Sequence, residues 1–183
     1  MTQRIPIEVV SYDPHWPALF VEAGREISAA IGKYITDIQH IGSTAVPGLA
    51  AKPVIDILVG VRNLQDAPKF LPPLAPLGYT YIPQHEDIFP ERRYLHRIVD
   101  GKHTHHLHIV EPGSEFYRVQ ILFRDYLRGH PRAAAEYAAL KYNLAEKYRE
   151  DREAYTDGKS AFIQNILRQA QNNPTRTRQE TEK

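Results

Sequence analysis

The chain has no cysteine in its 183 residues, which excludes disulfides, thiolate catalysis and any Cys-ligated zinc or iron–sulfur centre. Neither sign of charge is in excess. Lys and Arg number 23 against 22 Asp and Glu, a net charge of +1, so there is no electrostatic reason to expect nucleic acid as the main partner. No run approaches the roughly 18 apolar residues needed to cross a bilayer. The opening MTQRIPIEVVSY also lacks the apolar stretch of a signal peptide. A cytoplasmic protein without a membrane partner is therefore expected. The GxxxxGK[ST] phosphate loop, the GxSxG elbow and the HExxH helix are absent as well, which argues against an autonomous kinase, an α/β-hydrolase and a zincin. Hydrophobic content of 42% with 25% charged residues is ordinary for a single, well-buried domain.

What is present concentrates between His40 and Val61, in HIGSTAVPGLAAKPVIDILVGV. Gly42 lets a backbone approach a ligand closely. Ser43 adds a hydroxyl and a loop N–H, both able to hold a phosphate oxygen. Asp56 lies inside VIDILVGV, with β-branched and apolar neighbours on both sides. A carboxylate in such surroundings must be paired, protonated or metal-bound, because an unpaired buried charge is very costly. Two readings stand for Asp56: a metal ligand, or a buried acid that caps a loop or pairs with Lys52. Gly42-Ser43 is by itself compatible with an ordinary tight turn.

Apolar-Gly-Ser, a gap of twelve residues from Ser43 to Asp56, and an acid on a strand together resemble the nucleotidyltransferase-fold signature. The wording GSTAVPGLAAKPVIDI resembles the GrpB family within that superfamily. THHLHIV (Thr104–Val110), DYLRGHP (Asp125–Pro131) and YTDGKSAFI (Tyr155–Ile163) are similar to that family too, so the resemblance runs from about Ile5 to Ala170. It implies an α+β fold, with a nucleotidyltransferase-like mixed sheet, an N-terminal helix and a C-terminal helical layer. It also implies nucleotidyl transfer on a nucleotide or phosphorylated small molecule, assisted by a divalent metal ion. One departure is visible. The superfamily's second strand acid would fall at position 58, where this chain has Leu58. An aspartate substituted there would restore a hard oxygen ligand and is expected to raise Mg²⁺ affinity.

Hydrophobic periodicity organises the rest. Ile5–Tyr12 reads as a strand or extended arm. Asp13-Pro14 opens a helix, with Asp13 as N-cap and Pro14 in the first helical position, that runs to about Gly32. Strands are expected at Ile35–Gly42, Val54–Val61 and Tyr79–Ile82, and a helix with an irregular, proline-rich end at Asp66–Leu77. Tyr94–Val99 and Thr104–Val110 flank Asp100-Gly101, a hairpin signal. Helices follow at Glu115–Arg128, Pro131–Arg149 and Asp157–Ala170. Residues 1–171 then form one domain, and the polar, apolar-poor residues 172–183 form a disordered tail.

Strand alternation places His106 and His108 on one face, with His105 on the other beside Leu107. Two imidazoles at that spacing can share a metal or exchange protons near neutral pH, although a solvated sheet face would look the same. The expected metal set is Asp56, His106 and His108. Mg²⁺ or Mn²⁺ is implied for a transferase, and Zn²⁺ or another imidazole-preferring ion by the histidines. Asp56 and Ser43 are the expected catalytic residues. Gly42, Ser43, Lys52, Arg124 and Lys159 are the expected substrate contacts, the last two favoured by the family resemblance in FRDYL and YTDGKS. His40, two residues before Gly42, reads either as a site residue or as a satisfied sheet histidine. The alternative function is a nonenzymatic ligand-binding or interaction module that assists dephospho-CoA kinase, an enzyme to which GrpB-like domains are fused.

Overall fold

A computed structural model describes residues 6–172. Helix α1 spans Trp16–Ile31 and starts later than Pro14 would place it. The Asp13 carboxylate accepts the His15 backbone N–H at 2.8 Å and meets its imidazole at 2.7 Å. The Trp16 N–H in turn bonds to the Asp13 carbonyl at 3.1 Å. Asp13 thus closes a turn before the helix instead of capping it. Trp16, Ala23, Ile27 and Ile31 form the buried stripe of α1.

Five strands follow: β1 (Ile35–Ile41), β2 (Ile55–Val61), β3 (Tyr79–Tyr81), β4 (Arg92–Val99) and β5 (Lys102–Val110). They form one sheet in the order β1-β2-β5-β4-β3. The β2–β5 pair is parallel and the others are antiparallel, so the sheet is mixed, as expected. Asp100 and Gly101 both have positive φ, at 50° and 75°, the backbone that a two-residue hairpin turn demands.

The two faces of β2 have different fates. Ile55, Ile57, Val59 and Val61 pack under α1 with Leu95, Leu107 and Ile109 in the main core. Asp56 and Leu58 face the other way. There Leu58 joins Ile41 and Val110 beneath Phe116, Tyr117 and Ile121 of helix α3 (Glu115–Gly129). Ser114 caps α3 by accepting the Tyr117 N–H, a bond typically worth about 1 kcal/mol. Helices α4 (Pro131–Lys147), α5 (Arg152–Asp157) and α6 (Ser160–Asn172) complete the C-terminal layer. Val46 and Leu49, from the loop after Gly42, pack with Leu127 and Tyr137 of that layer.

Two expectations need correction. Asp66–Leu77 is not one helix, because Pro68, Pro72, Pro73 and Pro76 each remove an N–H donor. A short helix, α2 (Ala67–Phe70), sits between 3₁₀ turns at Leu64–Asp66 and Pro72–Leu77. Of the two readings for the N-terminal segment, residues 6–12 take the extended arm, held by a Val10–Ala51 bridge and by the Ile7 N–H on the Arg149 carbonyl. The last expected helix, Asp157–Ala170, is α6, and the short α5 before it was not expected. Asn172 ends α6, and residues 173–183 of the expected tail lie outside the described residues.

Candidate functional site

The site begins with a glycine that no other residue could replace without disturbance. Gly42 leaves β1 with φ 70°, and a Cβ placed on it would lie 2.3 Å from an Asp56 carboxylate oxygen. Both the backbone sign and the missing side chain are used. Ser43–Ala45 then turns through a 3₁₀ helix, and the Thr44 hydroxyl donates to the Val54 carbonyl at 3.2 Å, which gives the loop a fixed shape.

Asp56 and His106 are partners in the parallel β2–β5 register. The His106 Nδ1 lies 2.9 Å from Asp56 Oδ1. Since a carboxylate only accepts, Nδ1 carries the proton and Nε2 presents a lone pair. Burial pushes the Asp56 carboxyl up, but the His106 hydrogen bond and electrostatic interactions with His106, His108 and Lys52 outweigh it. The net position is below the ordinary carboxylate range. Asp56 is therefore an anion at neutral pH.

His108 shares that face but not that partner. It sits beside Leu58 in the register, with its Nδ1 3.4 Å from the Arg92 guanidinium and its ring against Tyr94 and Phe116. Burial holds its pKa down to about 3, with Arg92 adding to the effect, so it is a neutral acceptor. The expected triad of Asp56, His106 and His108 does not close on one point. Among the described residues, no three or more His, Cys, Asp or Glu side chains are gathered to hold a metal ion. A superfamily-type pair of magnesium ions fits poorly here. Asp56 stands alone, one of its oxygens is bound to His106, and Leu58 is wholly buried.

Three lysines approach the same anion from loop and helices. Lys52 and Lys159 both lie over the Tyr155 ring, at 5.2 and 4.5 Å from its centroid. Lys141 lies over Tyr137 at 4.6 Å and donates to the Ala50 carbonyl. None of the three has a carboxylate within ion-pair distance among the described residues. Burial, then repulsion from Lys159, lowers Lys141 to about 7. Burial with repulsion from Lys52 lowers Lys159 to about 8. Burial likewise lowers Lys52, partly offset by Asp56. Ser43 lies against the Tyr137 phenol in this cleft. Gly42, Ser43, Lys52, Asp56, His106 and Lys159, expected from different parts of the sequence, are brought together.

Arg124 is built into the fold through Nε and one terminal nitrogen. It is buried, with Nε on Asp125 at 2.7 Å and one terminal nitrogen on Gln39 and the His40 carbonyl at 2.9 and 3.0 Å. It ties α3 to β1. His40 points toward α1, where its ring stacks on Phe20 at 4.7 Å and its Nε2 meets the Thr44 hydroxyl at 3.0 Å. It is the satisfied sheet histidine. His105 faces the α1 side as expected, held by Arg97.

Lys141 is not among the expected contacts, since basic residues on helices usually face solvent, and neither His96 nor His103 is among the expected site residues. Alternation counts His103 with His105, but the β4–β5 register pairs Arg97 with His105 and then Ile98 with His103. That irregularity turns His103 back toward His106, leaving their nearest ring nitrogens 3.3 Å apart.

The family model described as GrpB protein matches residues 6–169. The chain belongs to the GrpB family. It is 38% identical to the Glutamate-rich protein GrpB of Alkalihalophilus pseudofirmus, over 87% of this chain and 92% of that one. It is also 38% identical to UPF0157 protein YqkA of Bacillus subtilis, covering 86% of this chain but only 45% of that protein. A dephospho-CoA kinase of Mycolicibacterium paratuberculosis is 30% identical, with 91% of this chain matching 46% of the kinase. The crystal structure of GrpB from Enterococcus faecalis superposes with a TM-score of 0.83 at 33% identity, covering 91% of this chain and 99% of that one. The GLD-2/RNP-8 complex structure gives a TM-score of 0.58 at 12% identity, over 94% of this chain and 70% of that one. The GrpB fold here is nucleotidyltransferase-like. No helix of the described residues is long and apolar enough to cross a membrane.

Proposed function

We propose that this GrpB domain binds a nucleotide or another phosphorylated small molecule, with the phosphates held among Lys52, Lys141 and Lys159. The observation that supports this is the crowding of three half-buried or buried ammonium groups without a carboxylate partner. Such groups lose proton affinity when empty, and an anion of several charges would restore it. Ser43 adds a hydroxyl at the loop edge, and Gly42 lets the Asp56 carboxylate pack directly against that loop. In nucleotidyl transfer the lysines would neutralise charge on the phosphoryl oxygens and the leaving pyrophosphate. The His106 Nε2 lone pair, fixed by Asp56, would take up the proton of the attacking hydroxyl.

One observation favours a second reading, binding without transfer. Leu58 fills the place of the second acid with a buried apolar side chain, so the usual pair of strand carboxylates is missing. In that case the domain serves as a ligand-binding or interaction module, and dephospho-CoA kinase is the candidate partner because one such kinase carries a similar segment.

Calorimetric titration with ATP, CTP, GTP, UTP and pyrophosphate tests the first statement. Lys159→Met and Lys141→Met are each expected to weaken binding at least tenfold. No heat with any of these ligands, or binding indifferent to both substitutions, would reject it. Release of pyrophosphate from a bound triphosphate then separates transfer from binding alone.

A further inference from the structure

Arg92 stands on the same sheet face as Tyr94, His106 and His108, and the lysine cleft gives it no part. It is only 6% exposed, and a guanidinium cannot shed its charge. Among the described residues no carboxylate lies within ion-pair distance of it. The neighbouring acids are engaged elsewhere: Glu91 accepts the Phe116 N–H at 2.8 Å, and Glu86 pairs with Arg93 at 2.9 Å. The guanidinium carbon instead lies 4.6, 5.3 and 4.9 Å from the ring centroids of Phe89, Tyr94 and Phe116. Its terminal nitrogens meet imidazoles, Nη2 at 3.0 Å from His85 and Nη1 at 3.4 Å from His108. Burial, then the Arg92 charge, lowers the pKa of His85, and His108 is the neutral ring described above. The Nε–H is buried with no partner at all. A cation enclosed in this way, with a donor unused, is costly unless an anion joins it.

We propose that Arg92 anchors an oxyanion group, carboxylate or phosphate, on the second substrate of this site, the acceptor of the transferred group. The anion site stands on Arg92 itself, and only the role of its occupant as acceptor rests on the transfer reading above. Nε and Nη2 form one edge of the guanidinium fork, the edge that grips two oxygens of a carboxylate or phosphate through parallel N–H bonds. On that edge Nε is unpartnered and Nη2 is covered by His85 alone. His85 belongs to a 3₁₀ turn, Pro83–Glu86, and its ring makes no other side-chain hydrogen bond among the described residues. Swinging that ring aside breaks one bond to a neutral acceptor and opens the whole edge to an anion. The strap it rides on already presents Ile88 and Phe89 to solvent, so the strap is not sealed by an apolar core of its own. Position suits an acceptor. The Tyr94 ring lies between Arg92 and the His106 ring, whose centroid is 5.7 Å from that of Tyr94. A small hydroxy acid or sugar phosphate held at Arg92 would span that one ring and bring its hydroxyl toward His106.

The test follows the arginine Nε–H resonances of the full chain by NMR during titration with acetate and, separately, inorganic phosphate at fixed ionic strength. The Arg92 signal is assigned by its loss in Arg92→Lys, or by its displacement in His85→Ala should the lysine variant unfold. A saturable shift of that signal is expected with at least one probe, and it should persist in Lys159→Met. A response to phosphate alone identifies a phosphorylated acceptor, to acetate alone a carboxylic acid, and to both a site for either oxyanion. His85→Ala should tighten the probe at least about threefold, the change that removal of one competing hydrogen bond of ordinary net strength brings. No saturable shift with either probe, or an affinity that His85→Ala leaves unchanged or weakens, would overturn the proposal. Triphosphate that fails to bind while the Arg92 shift persists rejects the nucleotide reading and leaves the anion site standing. Triphosphate that binds while Arg92 stays silent does the reverse.

Discussion

At the scale of single residues, Leu58 decides how far the superfamily pattern extends. It lies on the Asp56 face of β2, as alternation demands, yet it is fully buried with Ile41 and Val110 under α3. The sequence pattern pointed to Leu58→Asp as a route to Mg²⁺ binding. The structure predicts the other outcome, because an aspartate there would be an unpaired carboxylate in an apolar pocket. Thermal melting should show a loss on the order of 3 kcal/mol or more that added Mg²⁺ does not restore. Rescue by Mg²⁺ would show that the pocket opens. Leu58 was legible as a departure from the pattern, but its burial was not, since nothing in VIDILVGV says which helix covers the strand. Arg124 is a similar case: a basic residue in a helix looks the same whether it meets a phosphate or, as here, Asp125, Gln39 and the His40 carbonyl.

At the scale of elements, β2, the β4–β5 hairpin and α1 were all visible because burial on one or both faces writes a period into the sequence. The breaks came where a local device interrupts the period. Prolines divide Asp66–Leu77, an irregular register turns His103, and Gly158 separates α5 from α6. Gly158 has a definite reason to be glycine. A Cβ there would lie 2.5 Å from Leu144 Cδ2 and 3.2 Å from the Ala154 carbonyl, so α4 and the α5–α6 joint are packed through the absent side chain. Gly158→Ala is expected to cost about 1–3 kcal/mol, as overpacking does, by chemical denaturation. It should also shift neighbouring Lys159 and weaken triphosphate binding, though less than Lys159→Met does. A neutral Gly158→Ala would mean that Leu144 can move aside freely.

Across the whole molecule, the buried cations set how stability follows pH. The folded Lys141 and Lys159 titrate near 7 and 8, against 10.5 for the free side chain. Above those values the unfolded chain binds more protons than the folded one, so stability rises with pH from about 7 upward until both states are neutral. His40 and His105, lowered by burial to about 4 from 6.5, act in the same direction lower down, and their contribution is lost as pH falls from 6.5 toward 4. Thermal melting without ligand should therefore climb through both windows. Bound triphosphate should flatten the alkaline climb, since it stabilises the ammonium forms. A ligand-free melting temperature that falls as pH rises from 7 to 9 would contradict the lowered lysine values. This behaviour could not be read from a net charge of +1, because it depends on where the charges are enclosed, not on how many there are.

The chain has one tryptophan, and the fold places it where it helps most. Trp16 is buried in α1, edge-on to Tyr12 with ring centroids 5.2 Å apart, in the core on the side of the sheet away from Asp56. Its fluorescence is thus an optical reporter of the intact core that is deaf to events among the lysines and hairpin histidines. A variant that loses ligand while its tryptophan emission keeps the native wavelength has lost chemistry. One whose emission shifts to the red has lost the fold.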